Sequence, residues 1–356
     1  GFKSKIILER NFTNFSENIK NLFVKTVSFC YTSKVDYEHF LGKVVIKVDL
    51  ISRSIRLMGS TITISVLHER ANVLLDEVFS LLRMYEKRFS ANDDSSELMQ
   101  VNHAAGKQPV HVHPDLFYLI ELGKKHSIAP GSHLNITIGP LVQIWRIGFN
   151  DARLPSPREI EMALSLTNPE EIKLDALSST VFLAREGMKI DLGALAKGYI
   201  ADKIALFLRG QGVTSAIINL GGNVLTLGLN ETSNRFWRIG IQDPKLSRGN
   251  NLAILSIQNQ SVVTSGIYER KLYANGRVYH HIFDRKTGYP IDNQLASLTI
   301  VSDKSVDGEI WTTRLFGESP LSILEKVEQE NEIEAFVITE NNQIFYSSGL
   351  KPEILS

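Results

Sequence analysis

The apolar residues of this chain recur with two periods. "STITISVL" (60–67) alternates apolar and polar side chains, the pattern of a half-buried strand. Residues 70–88 place Val73, Leu74, Val78, Leu81, Leu82 and Tyr85 on one stripe, which predicts an amphipathic helix. The polar stretch "FSANDDSSELMQVN" (89–102) runs into a short helix, with Ser96 suited to cap it. A helix is predicted over 113–130, with Pro114 in its first turn and Pro130 ending it. Residues 132–145 read as loop, turn and helix start, followed by a short helix at 157–165 and a strand at 170–174. "STVFLAR" (179–185) and "MKIDL" (188–192) read as strands; a helix over 197–210 then precedes a β-branched strand at 214–220. Further strands are expected at 236–242, 252–257, 261–264, 269–274 and 277–283, with turns at Asn250, Asn259 and Asn275-Gly276. Strand 296–302, a helix from Ser305, a helix at 320–329 and strands 334–339 and 343–347 close the pattern.

Strands arrive in antiparallel clusters, and helices are interspersed instead of strictly alternating with them. That predicts an α+β fold of antiparallel-rich mixed sheets with flanking helices. The chain's 356 residues suit one large domain or two lobes. Residues 1–56 stand apart: they hold ten Lys/Arg against five Asp/Glu and show no sustained period. They read as a basic extension before a main domain at 57–349, with a tail at 350–356.

Composition mostly excludes. Lys+Arg and Asp+Glu both number 39, so the net charge is zero and no whole-molecule field draws the chain to nucleic acid or acidic lipid. The single cysteine, Cys30, rules out an intrachain disulfide framework and a thiolate cluster. The apolar runs are strand-length, so no membrane span and no stable membrane association is expected. In "NLFVKTVSFC" (21–30), Lys25 splits the apolar run and bulky Phe29 precedes Cys30, unlike a lipoprotein cleavage site. The expectation is an unprocessed, cytoplasmic chain.

Three segments carry candidate chemistry. In "IDLGALAKGY" (190–199), Asp191 follows apolar residues, and Gly193-Ala194 permit a close backbone approach. Lys197 stands at a helix start, against the macrodipole, where a cation usually has an anion to hold; a helix N-terminus with a lysine suits phosphate or pyrophosphate. A capping acid and a solvated lysine explain the same residues. Gly221-Gly222 after "SAIINL" serve either ligand approach or a tight turn. In "YHHIFDRKTGYPI" (279–291), His281 is a candidate general base, with Asp284 orienting it or fixing a turn. His280 would face the other way on a continuing strand. In "SVDGEIWTTRLFG" (305–317), Glu309 and Thr313 share a helix face as oxygen donors, with Asp307 near the helix start; such donors suit Mg2+. His111 and His113 lack a third partner, and Ser265-Gly266 is no nucleophile elbow.

Together these motifs resemble the ApbE family, the FAD:protein FMN transferases, over residues 57 to about 349. They occur in order: "MGS" (58–60, where the family has MGT), "FSANDDSSEL", "NITIGPLVQIWRIGF", "IDLGALAKGY", "IINLGGN", "HIFDRKTGYPI" and the "DGEIWTTRLFG" helix. The resemblance implies a two-lobed ApbE-like architecture. It implies that FAD binds with Mg2+ on its pyrophosphate, and that a threonine hydroxyl of a target flavoprotein attacks the FMN phosphorus and AMP leaves. Met58, Asn92, His133, Leu134, Asn135, Asp191, Lys197 and Phe283 would contact FAD, the Ala194 carbonyl would ligate the metal, and His281 would be the base. The family's usual D-x-x-x-T helix is displaced here, since four residues after Asp307 stands Trp311. Glu309 and Thr313 are the preferred ligands, with Asp307 a further one and Thr312 a weaker one. Asn92 stands where many members carry an aromatic that would stack on the flavin. That leaves Mg2+-dependent FAD hydrolysis to FMN and AMP as the alternative reaction, and a non-catalytic flavin-binding protein as a third reading.

Overall fold

A computed structural model describes residues 48–355. Cys30, the stretch 21–30 and most of the basic extension expected over 1–56 lie outside the described residues. The end of that extension is corrected: Leu50–Leu57 (β1) pairs antiparallel with Ser60–Leu67 (β2) along its full length. Period two is present in "LISRSIRL", but Arg53 interrupts the inward row and hides it. Its guanidinium lies over the Phe79 ring, 5.2 Å from the centroid, so an arginine does the covering of an apolar residue there.

β1 and β2 begin an eight-stranded sheet. It continues through Ser215–Asn219 (β6), Asn223–Leu227 (β7), Ser261–Gly266 (β10), Leu295–Ser302 (β13), Ile333–Thr339 (β14) and Ile344–Tyr346 (β15), in that order. Three smaller sheets accompany it. Val110–His111 (β3), Thr180–Leu183 (β5) and Ile172–Asp175 (β4) form one. Trp237–Gln242 (β8), Asn251–Ile257 (β9) and Glu353–Ile354 (β16) form the second, so the expected C-terminal tail contributes a strand. Lys271–Ala274 (β11) and Arg277–His280 (β12) form a hairpin. Every strand pairing among the described residues is antiparallel, so the fold is α+β with antiparallel sheets.

The helices are Ala71–Phe89 (α1), Glu97–His103 (α2), Pro114–Ile128 (α3), Gly139–Trp145 (α4), Pro157–Leu164 (α5), Ala196–Gly210 (α6), Ser305–Leu315 (α7) and Pro320–Val327 (α8). Ser96 caps α2 by accepting from the Met99 N–H. Both faces of the large sheet are covered. Alternate residues of β14 show it: Ala335 and Val337 pack with Leu315, Phe316 and Ile323 on the helical side, while Phe336 and Ile338 pack with Trp237, Ile239 and Leu255 of the β8–β9 sheet. This double covering explains why every residue of β13 is buried, Ser297, Thr299 and Ser302 included. The largest core joins β2 and β6 to α1 and α6; Leu74, Leu75 and Leu82 are wholly buried there, each contributing about 1.5–3 kcal/mol.

"MKIDL" does not form a strand. Met188, Ile190 and Leu192 are apolar because they are buried, and the backbone finds other partners. The Asn102 side chain accepts from the Ile190 N–H and donates to its carbonyl, and the Asp191 N–H donates to the Ile136 carbonyl. Conversely, the pattern missed β7, because Gly221-Gly222 close a tight hairpin between β6 and β7. Both glycines have positive φ, 78° and 96°, and the Asn219 side chain accepts from both N–H groups.

Candidate active site

One large cavity, about 1070 Å³, opens beside the end of the eight-stranded sheet. Met58, Asn92, His133, Leu134, Asn135, Asp191, Ala194, Lys197, His281, Phe283, Glu309 and Thr313 all line it. Twelve of the thirteen residues singled out from the sequence therefore meet, from segments spread between positions 58 and 313. Asp307 does not join them. It stands two positions before Glu309 on the helix, a rotation of about 200°, so the two cannot share a face. Its carboxyl sits beside Lys304, Asp303 and Glu332, and burial pushes it above the ordinary carboxylate range. Thr312 is wholly buried and donates to the Glu309 carbonyl, also away from the cavity.

The two chemistry-bearing helices are held together by side chains the sequence reading had not weighted. Asp202, one turn after Lys197 on α6, caps α7: its carboxylate accepts from the N–H groups of Ser305 at 2.7 Å and Val306 at 3.0 Å. Burial raises its carboxyl to about 6. Gly198 is where the helices touch, since a Cβ there would lie 2.5 Å from the Ser305 carbonyl oxygen. This contact sets Lys197 and the Glu309 face on the same cavity.

Glu309 is itself positioned. The Asn223 amide donates to its Oε1 at 2.9 Å, Ser305 Oγ donates to Asn223 Oδ1 at 2.7 Å, and Ser261 Oγ donates to Ser305 Oγ at 3.0 Å. This buried chain fixes the orientation of the Asn223 amide and engages Glu309 through Oε1. Thr313 Oγ1 donates to the Glu309 carbonyl, so its lone pairs stay available. No three His, Cys, Asp or Glu side chains gather among the described residues. A cation held by Glu309, Thr313 and the Ala194 carbonyl would complete its shell with water and ligand phosphate. That donor set fits Mg2+.

On the opposite segments, Asp191 Oδ1 accepts from the Gly193 N–H at 2.7 Å, and loss of hydration pushes its carboxyl above the usual range. Met58 occupies the β1–β2 turn at φ 50°, its N–H held by Glu86 at 2.8 Å. The loop of His133, Leu134 and Asn135 is anchored by Arg285, whose guanidinium donates to the carbonyls of Ser127, Ser132 and Leu134. Asn135 spends its side chain on that loop, donating to Thr167 and accepting from Thr137. The His133 ring lies against Gly317, and burial lowers its pKa. Phe283 packs on Trp145, with ring centroids 5.9 Å apart.

His281 follows directly on β12. Its Nδ1 is buried with no hydrogen-bond partner, and loss of hydration, then the Arg270 charge, lower its pKa to about 3. The imidazole is therefore neutral across the physiological range, as a general base must be, and its burial weakens it as a proton acceptor until a ligand fills the cavity. Of the alternatives left open, His280 is structural: its Nε2 bonds the Ile291 carbonyl at 2.8 Å and its Nδ1 accepts from Ile282. Asp284 fixes the turn, accepting from the Lys286 N–H, and does not touch His281. Arg270 also lines the cavity and was missed, since no motif or period marks a lone arginine between two strands.

A polar cavity with a neutral imidazole, a lysine at a helix start and two oxygen donors one helical turn apart, set against antiparallel sheets, brings together the groups that an enzyme site for an anionic ligand needs. The profile of the ApbE family matches residues 58–337, and the chain belongs to that family. It is 44% identical over 297 residues to a FAD:protein FMN transferase of Klebsiella pneumoniae, covering 83% of this chain and 92% of that one. It is 36% identical over 281 residues to the FAD:protein FMN transferase of Treponema pallidum, covering 74% and 78%. Its fold superposes on the ApbE protein of Thermotoga maritima with a TM-score of 0.77 at 24% identity, over 84% of this chain and 97% of that one. The flavin transferase ApbE from Vibrio cholerae gives 0.73 at 24% identity, over 85% and 98%. Among the described residues no helix is long and apolar enough to cross a membrane.

Proposed function

We propose that this protein is a FAD:protein FMN transferase, moving the FMN half of FAD to a threonine hydroxyl of a target flavoprotein with Mg2+ and releasing AMP. The observation that carries the reading is the convergence of Asp191, Lys197, His281, Glu309 and Thr313 on one cavity large enough for a dinucleotide. The names of the relatives support the same activity.

In this reading Lys197 binds the diphosphate, and Asp191 accepts a hydrogen bond from the ligand. The loop of His133, Leu134 and Asn135, with Met58, Asn92 and Phe283, shapes the wall against the flavin nucleotide. Glu309, Thr313 and the Ala194 carbonyl would hold Mg2+, which when bound would neutralise diphosphate charge. His281 takes the proton of the incoming hydroxyl. The hydroxyl oxygen then bonds to the FMN phosphorus as the bridging P–O bond breaks, and AMP leaves with that bond's electron pair. Positioning and charge neutralisation supply most of the rate in such transfers.

The test is intact-mass spectrometry of an acceptor flavoprotein domain incubated with the protein, FAD and Mg2+. Gain of one FMN on the acceptor, lost when its threonine becomes valine, is the expected result. Steady AMP release with no mass gain would show FAD hydrolysis instead.

A further inference from the structure

We propose that Arg270 is a second phosphate-binding cation of this cavity, gripping the FMN-side phosphate of a bound flavin dinucleotide next to His281. The inference rests on the FAD reading above and adds a residue to it.

Four observations carry it. Arg270 follows β10 and lines the cavity with its side chain exposed to it. Its stem is seated on Gly148, where a Cβ would come within 2.6 Å of its Cδ, and its Nη2 reaches over the Met58-Gly59 turn, 3.5 Å from the Cβ position of Gly59. Its neighbour Glu269 is already engaged by Arg248 at 3.1 Å, and Arg270 forms no ion pair among the described residues. Finally, the β11–β12 hairpin pairs Lys271 with His280, which sets Arg270 and His281 at the adjoining next positions of the two segments, and the Arg270 charge, after burial, lowers the His281 pKa.

The last point locates the ligand. A base must lie within hydrogen-bond reach of the attacking oxygen, and that oxygen bonds directly to phosphorus. A cation set across the hairpin from the base is then placed to meet the transferred phosphate. A guanidinium offers two parallel N–H donors to phosphate oxygens, which a lysine cannot match. An anionic phosphate beside Arg270 and His281 also offsets the arginine's charge at the imidazole and raises its basicity when the substrate is present.

The experiment compares FAD and riboflavin binding by fluorescence titration in wild type, Arg270→Ala, Arg270→Lys and Gly148→Ala, each checked for folding by circular dichroism. Arg270→Ala is expected to weaken FAD about 10- to 100-fold and leave riboflavin, which carries no phosphate, unchanged. Arg270→Lys should recover part of the loss. Gly148→Ala keeps the charge but displaces the stem, and should weaken FAD without affecting riboflavin. Unchanged FAD affinity in Arg270→Ala, or equal weakening of riboflavin, overturns the assignment while leaving the transferase reading intact. A folded wild type that binds no FAD overturns both.

Discussion

At the scale of single residues, the cavity separates roles that the sequence left superimposed. Two adjacent histidines look equivalent in "YHHIFD", yet His280 is tied to the backbone by both ring nitrogens while His281 keeps its ring for the cavity. His281→Ala should therefore lower turnover by roughly 10²- to 10⁴-fold while FAD still binds. His280→Ala should chiefly lower the melting temperature. Equal turnover of His281→Ala and wild type across several pH values would remove His281 as the base. Lys197→Ala makes the complementary test, because loss of a charge-assisted phosphate contact typically costs about 1.5–3 kcal/mol of binding. Its deficit should appear in FAD affinity. These residues could be singled out in the sequence because an imidazole, an ammonium and a carboxylate each suit a distinct chemical task. Asn135 shows the limit: its side chain proves to be loop scaffolding, and an asparagine's partners cannot be read from one sequence.

At the scale of elements, what placed the site was the crossing of α6 and α7, and it rests on residues that look unremarkable in sequence. Gly198 reads as a helix-weakening glycine, but it is the point where the start of α7 passes over α6. Gly198→Ala should destabilise the fold by about 1–3 kcal/mol, since the obstructing atoms are backbone and cannot rotate away. It should also shift Lys197 relative to Glu309, which FAD titration with and without Mg2+ would register. The register of α7 was legible, because the 3.6-residue period puts Glu309 and Thr313 on one face. The same period sets Asp307 off that face, and which of the two faces meets the cavity needed the helix's orientation, which the Asp202 cap helps to set. Glu309→Ala should abolish the Mg2+ dependence of FAD turnover, and Asp307→Ala should leave it near wild type; the opposite ranking in a Mg2+ titration would reject this register. "MKIDL" and β7 were misread for opposite reasons. Burial made a loop look like a strand, and two glycines made a strand's start look like a turn alone.

At the scale of the whole molecule, the α+β class was legible from the alternation of strand clusters and helices, whereas the sheet order was not. The order joins β2 to β6 and β7 to β10 across long intervening segments, and only long-range packing specifies such pairings. The same packing buries imidazoles. His126 falls to about 4, first through burial and then through the Arg314 charge, and His133, His280 and His281 are also lowered. An unfolded chain would protonate these groups near pH 6.5. Between that value and the folded pKa the unfolded state binds more protons, so each contributes stability that is full above pH 6.5 and lost as pH falls. Asp202 works in the opposite direction, since its raised carboxyl takes up a proton in the folded state near pH 6. Total stability against pH therefore mixes both signs, and a difference measurement separates them. His126 holds Arg314 at 3.2 Å through Nδ1, and the Arg314 carbonyl accepts the His133 N–H at the cavity floor. His126→Gln keeps an acceptor for Arg314 and removes one titrating group. Compared by urea unfolding at pH 7 and pH 5, the variant should gain on wild type as pH falls, by up to about 1.4 kcal/mol per pH unit and less where water screens the ring. Parallel curves for the two proteins would mean that His126 titrates in the folded state as it does in the unfolded one.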